Sequence, residues 1–89
     1  MVRMFVRHQV SDYTAWKKGY DAFDQERGGL GVTDHAVYQA LDDPNDVTIW
    51  HDFSNREAGE SFASSPQLRE AMQEAGVQGQ PDIWFTTAV

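Results

Sequence analysis

The sequence predicts an α+β fold of the split βαβ kind, in which one four-stranded antiparallel sheet is backed by helices on a single face. Three observations carry that expectation. Apolar and polar residues alternate at a spacing of two over residues 2–10, as a half-buried strand requires. Beyond Asp12 the spacing turns helical, with Trp16, Gly19, Tyr20, Phe23 and Arg27 on one stripe while Lys17, Lys18, Asp21 and Asp24 fall elsewhere. The complete order then reads strand, helix, strand, strand, helix, strand.

Strand one runs from Val2 to Val10, with Val2, Met4, Val6, His8 and Val10 on one face and Arg3, Phe5, Arg7 and Gln9 on the other. Ser11 and Asp12 are suited to cap a helix, and helix one is expected from about Tyr13 to Glu26, stopped by Gly28, Gly29 and Gly31. Strand two spans His35 to Leu41, the residues Asp42 to Asp46 form a hairpin connection, and strand three spans Val47 to Phe53. Ser54, followed by Glu57, forms a capping box for a short helix through Ala58 and Phe62. Ser65 before Pro66 opens another helix, whose Leu68, Ala71, Met72 and Ala75 form an apolar stripe, and Gly76 closes it. Gly79 and Pro81 lead into the last strand, Asp82 to Ala88, where Ile83, Phe85 and Thr87 alternate with Asp82, Trp84 and Thr86.

Composition narrows the classes. A chain of 89 residues is expected to form one domain, residues 1–89, near the small end of what folds alone, so association would thicken its core. Five Phe, three Trp and three Tyr argue against disorder. A net charge of −7 repels phosphate backbones and anionic lipid heads, so neither nucleic acid nor membrane is an expected partner. No apolar run approaches the ~20 residues of a membrane span, and Met1 to Val10 lacks a leader's apolar stretch, so a cytoplasmic location is expected. The absence of cysteine removes disulfides, thiolate nucleophiles and Cys-rich zinc sites, and leaves histidine and carboxylate as the strong metal ligands.

In this ferredoxin-like topology the spatial strand order is four, one, three, two, and strands one and three are expected to be adjacent and parallel. The helix-free face would carry Phe5, Tyr38, Trp50 and Trp84, too apolar to stay wet. A second copy is the natural cover, making a homodimer the expected assembly.

A resemblance sharpens this reading. It rests on His8, Val10, Asp12, Tyr13 and Trp16 at the first strand–helix junction and on Asp42, Asp43, Pro44, Asn45 and Val47 in the hairpin. Ser65, Pro66, Leu68, Arg69, Met72, Ala75, Gly76, Val77, Gly79 and Pro81 extend it through the C-terminal third. Together, over nearly the whole chain, these resemble the antibiotic biosynthesis monooxygenase-like proteins of the dimeric α/β-barrel superfamily. That scaffold is shared by cofactor-free quinone-forming monooxygenases, polyketide cyclases, heme enzymes and proteins of no assigned activity. The resemblance implies a ligand site between helices and sheet within each subunit, with the two sheets closing the dimer.

The candidate site residues are three histidines. Parallel neighbours would bring together the ends of strands one and three, and with them His8 and His51. Pairing Leu41 with Val47 puts Val37 opposite His51 and His35 diagonally beside it, while a two-residue shift would put His35 directly opposite. All three share parity with apolar neighbours and so should face the helices. Trp16, Tyr20, Phe23, Phe62, Leu68 and Met72 complete the expected pocket. A neutral imidazole among apolar walls can take a proton from a phenol or an activated C–H. Such chemistry suits a cyclase, isomerase or monooxygenase acting, without an organic cofactor, on an aromatic or polyketide-like small molecule. Related cyclases use a histidine with a tyrosine, which implies His8 as general base with Tyr20 or His51 as partner. The alternatives are a non-catalytic ligand-binding protein and a His8/His35/His51 cluster holding a divalent transition metal. A purely structural role would have His8 bonded to the loop near Asp12, with His35 and His51 at an exposed sheet edge.

Other motifs are weaker. Gly28, Gly29 and Gly31 follow a helix and read as a turn, not a phosphate loop. Ser54, Ser64 and Ser65 read as caps, and Asp42, Asp43 and Asp46 as turn residues without the spacing of a calcium loop.

Overall fold

The computed structural model describes residues 1–89 as a ferredoxin-like α+β fold. Its elements are β1 (Val2–Val10), α1 (Tyr13–Ala22), α2 (Asp24–Gly29), β2 (Asp34–Ala40), β3 (Asp43–Phe53), α3 (Arg56–Ala63), α4 (Pro66–Glu74) and β4 (Val77–Thr86). The sheet order is β2-β3-β1-β4, with β1 antiparallel to both β3 and β4. The expected strand order stands; the parallel sense of strands one and three does not. A strand reached through a crossover helix runs parallel to its predecessor and the hairpin then reverses direction, so β3 opposes β1.

Local chemistry explains most boundaries. Asp12 caps α1 by accepting from Thr14 N at 3.0 Å, and Ser65 caps α4 by accepting from Leu68 N at 3.2 Å with Pro66 at the first helical position. Asn55, not Ser54, caps α3, its Oδ1 accepting from Ala58 N at 2.8 Å. The expected single helix over Tyr13–Glu26 breaks at Phe23, whose ψ of 0 ends α1. There the buried Arg27 guanidinium donates to Tyr20 O at 2.6 Å and so occupies an acceptor that a continuous helix would use for its own backbone.

The hairpin is tighter than expected. Ala40 pairs with Asp43 across a two-residue turn, and the extra length of Pro44–Asp46 is taken up as an irregularity that puts Gln39 opposite Val47. That shifts the register by two residues and sets His35 directly opposite His51. The last strand likewise starts earlier than expected, at Val77, with its own irregularity between the pairs Arg7–Asp82 and Gln9–Gln78.

The core lies between the sheet and the helices. Met4, Val6, Val10, Val47, Ile49 and Phe53 from the sheet meet Trp16, Phe23 and Phe62 from the helical layer. Helix α4 contributes no buried residue. On the helix-free face Phe5 stacks on Trp84 at 5.4 Å, and Tyr38 and Trp84 remain exposed. No helix is long and apolar enough to cross a membrane.

Candidate functional site

A cavity of about 50 Å³, measured as space for the centres of water-sized molecules, lies between sheet and helices. A molecule's own radius extends beyond the space open to its centre, so the cavity has room for several waters or a small aromatic ring system. Met4, Val6, His8, Ile49, His51 and Ile83 form its sheet side. Trp16, Gly19, Tyr20, Phe23 and Arg27 form one helical wall, and Leu68, Ala71, Met72 and Ala75 the other.

The histidines do not form one cluster. His8 pairs with Val47 and His51 with Met4, so the antiparallel ladder separates them by four positions, about 13 Å along β1. His35 and His51 are the pair the structure joins, their rings 6.2 Å apart. An aromatic run connects the rest. His8 meets Trp16 edge-on at 5.6 Å, Trp16 stacks on Tyr20 at 5.1 Å, and Tyr20 lies 6.3 Å from His51. No group of three or more His, Cys, Asp or Glu side chains is placed to hold a metal ion. His51 is only 4% exposed on a central strand, and no hydrogen bond ties His8 to the Asp12 loop, so neither follows the purely structural alternative.

Tyr20 binds His35 instead of His8. Its hydroxyl lies 2.6 Å from His35 Nδ1, and His35 Nε2 lies 3.2 Å from Asp24 Oδ1. A carboxylate accepts only, so Nε2 carries the ring proton and Nδ1 accepts from the Tyr20 hydroxyl. His35 and Phe62 stand outside the cavity wall: His35 behind Tyr20, and Phe62 packed in the core against His51 at 5.0 Å and Phe53 at 5.4 Å.

Electrostatics separate the ionisable groups. Burial pushes the His51 pKa from 6.5 down to about 3, with the Arg27 charge and His35 adding to the effect. Burial also lowers His8, and raises Tyr20 to about 12 against the opposing pull of Arg27. Both cavity imidazoles are therefore neutral near pH 7 and the phenol is protonated.

Arg27 is the wall residue whose role was not assigned from the sequence, although its place on the Trp16–Tyr20–Phe23 stripe signalled burial. It is 2% exposed, with its guanidinium 3.8 Å above the Tyr20 ring. The buried side-chain atoms with no hydrogen-bond partner are His8 Nδ1, Arg27 Nε and His51 Nδ1, and all three residues line this cavity.

No protein-family model matches the chain, and no curated protein matches it. Solved structures do. SnoaB from Streptomyces nogalater, a cofactor-independent oxygenase, is 13% identical with a TM-score of 0.81 over 99% of this chain and 92% of that one. A Bordetella bronchiseptica protein, provisionally named an antibiotic biosynthesis monooxygenase, is 13% identical with a TM-score of 0.85 over 99% and 96%. A conserved protein from Methanosarcina mazei Go1 is 17% identical with a TM-score of 0.76 over 96% and 89%. The chain thus has the fold of antibiotic biosynthesis monooxygenase structures, matched across its full length.

Proposed function

We propose that the protein is a small-molecule enzyme that works without an organic cofactor on an aromatic or polyketide-like substrate held between helices and sheet. One observation carries this reading: the three buried nitrogens without partners all belong to residues of one cavity. Unpaired buried donors and acceptors cost on the order of 1–3 kcal/mol each, and a small turn of these side chains toward a polar ligand in the cavity would pair them. The likeness to a cofactor-independent oxygenase supports the same class.

The general base in this reading is His8. His51, held to about 3, is too weak a base to hold a proton at neutral pH and serves as a neutral hydrogen-bonding group. His8 takes a proton from a phenol or an activated C–H and leaves the electron pair on the substrate as a phenolate or enolate. The His8 imidazolium returns the proton to the product, while the Tyr20 phenol, its hydroxyl donating to His35 Nδ1, stays protonated and presents its ring to the cavity. The enolate or phenolate is the common starting point for cyclisation, isomerisation or reaction with dioxygen. A homodimer is part of the proposal, the second copy covering the face of Phe5, Tyr38, Trp50 and Trp84.

The test is a panel of hydroquinones and naphthols, followed by quinone absorbance in air and by loss of substrate under argon. His8→Ala is expected to lower turnover at least ~100-fold while the circular dichroism spectrum is kept. Unchanged turnover in His8→Ala would remove His8 as base. Ligand binding with no turnover in the wild type would favour a non-catalytic binding protein.

A further inference from the structure

We infer that the cavity selects a ligand carrying an anionic oxygen, a phenolate, enolate or carboxylate, and that Arg27 is the residue that sets this preference. The inference rests on the cavity being the ligand site, and adds the charge class of what enters it.

The argument is a count of charges and donors. Arg27 is the one cavity-wall residue with a formal charge, because His8 and His51 are neutral and no carboxylate lines the wall. This cation is 2% exposed. Its only carboxylate neighbour, Asp24 at 3.2 Å, stands outside the wall and is 70% exposed, so water screens much of its field. A buried cation is ordinarily matched by a buried anion, and none is present here.

The donors agree with the charges. A guanidinium offers five N–H groups. Arg27 uses one on Asp24 and one on Tyr20 O, and its Nε is left without a partner. The Tyr20 ring face, 3.8 Å from the guanidinium carbon, compensates part of the charge but accepts none of these protons in the plane of the group. In a chain whose net charge is −7, a positive cavity wall is also the opposite of what bulk composition would supply. An oxyanion beside Arg27 would neutralise it and accept from guanidinium N–H groups that Asp24 and Tyr20 O leave free.

The experiment uses a nearly isosteric pair of single-ring probes, 4-nitrophenolate and neutral 4-nitroaniline, above pH 8. Binding is read by NMR of 13C-methyl methionine. Met4 and Met72 line the cavity, whereas Met1 is exposed and serves as the internal reference. The wild type should bind the anion about tenfold more tightly than the amine, with the Met4 and Met72 signals moving and Met1 fixed. Arg27→Met should reduce that preference to below about twofold, and Arg27→Lys should restore part of it. Equal binding of both probes would overturn the role of Arg27 while leaving the cavity as a ligand site. Failure of both probes to move Met4 and Met72 would overturn the cavity reading and this inference with it. Should Arg27→Met fail to fold, the wild-type ratio and the Arg27→Lys ratio decide the matter alone.

Discussion

Burial lowers the His51 pKa from its ordinary 6.5 to about 3. The unfolded chain takes up that proton near 6.5 and the folded chain does not, so the unfolded state binds more protons between those two values. Stability contributed by neutral His51 is therefore complete above about pH 6.5 and is lost as the pH falls toward 3, on the order of 2–3 kcal/mol between pH 7 and 4.5. His8 is lowered by burial too and acts with the same sign. His51→Phe, which keeps a ring in place, should narrow the gap between urea midpoints at pH 7 and pH 4.5. An unchanged gap would locate the acid sensitivity in other groups. At this scale the sequence was informative about faces and silent about partners. Strand parity placed His8 and His51 toward the helices and helical spacing placed Trp16 toward the sheet, but that Tyr20 would choose His35, or that Arg27 would be buried beside it, depends on side-chain reach across elements, which spacing does not encode.

Two elements meet where β1 leaves the sheet and β4 re-enters it. Ser11 N donates to Gly76 O at 3.1 Å, and Gly76 adopts φ +84. A Cβ on Gly76 would stand 2.6 Å from Ser11 Oγ. Gly76→Ala should therefore cost about 1–3 kcal/mol in chemical denaturation, from backbone strain and from the clash together. Adding Ser11→Gly should relieve only the second part. A Gly76→Ala protein within ~0.5 kcal/mol of wild type would show that the joint relaxes freely. Caps and glycines of this kind are local chemistry, which is why Asp12, Ser65 and Gly76 were legible in advance. The hairpin register was not, because the irregularity at Pro44–Asp46 absorbs residues that a simple turn would have left outside the strand. The sense of β3 against β1 follows from counting chain reversals, and misjudging it had the larger effect, since it brought together His8 and His51, which the structure holds apart.

For the molecule as a whole, the helix-free face carries the proposal of a homodimer. Phe5 stacks on Trp84, which is 43% exposed, and Arg3 covers Trp50 at 3.7 Å. Alternation along each strand made this face visible in the sequence, although what lies against it is not encoded in the spacing of one chain. Trp84→Arg should weaken dimerisation at least about tenfold, measured by light scattering after size exclusion. A wild type that stays monomeric at micromolar concentration would overturn the dimer reading.

Helix α4 presents a different matter of whole-molecule behaviour. It supplies Leu68, Ala71 and Met72 to the cavity wall, yet none of its residues is buried. An element so lightly held opens at a smaller free energy than the sheet it leans on. A molecule seated in the cavity would therefore also fasten this helix, adding contacts on the side where none of its own residues is buried.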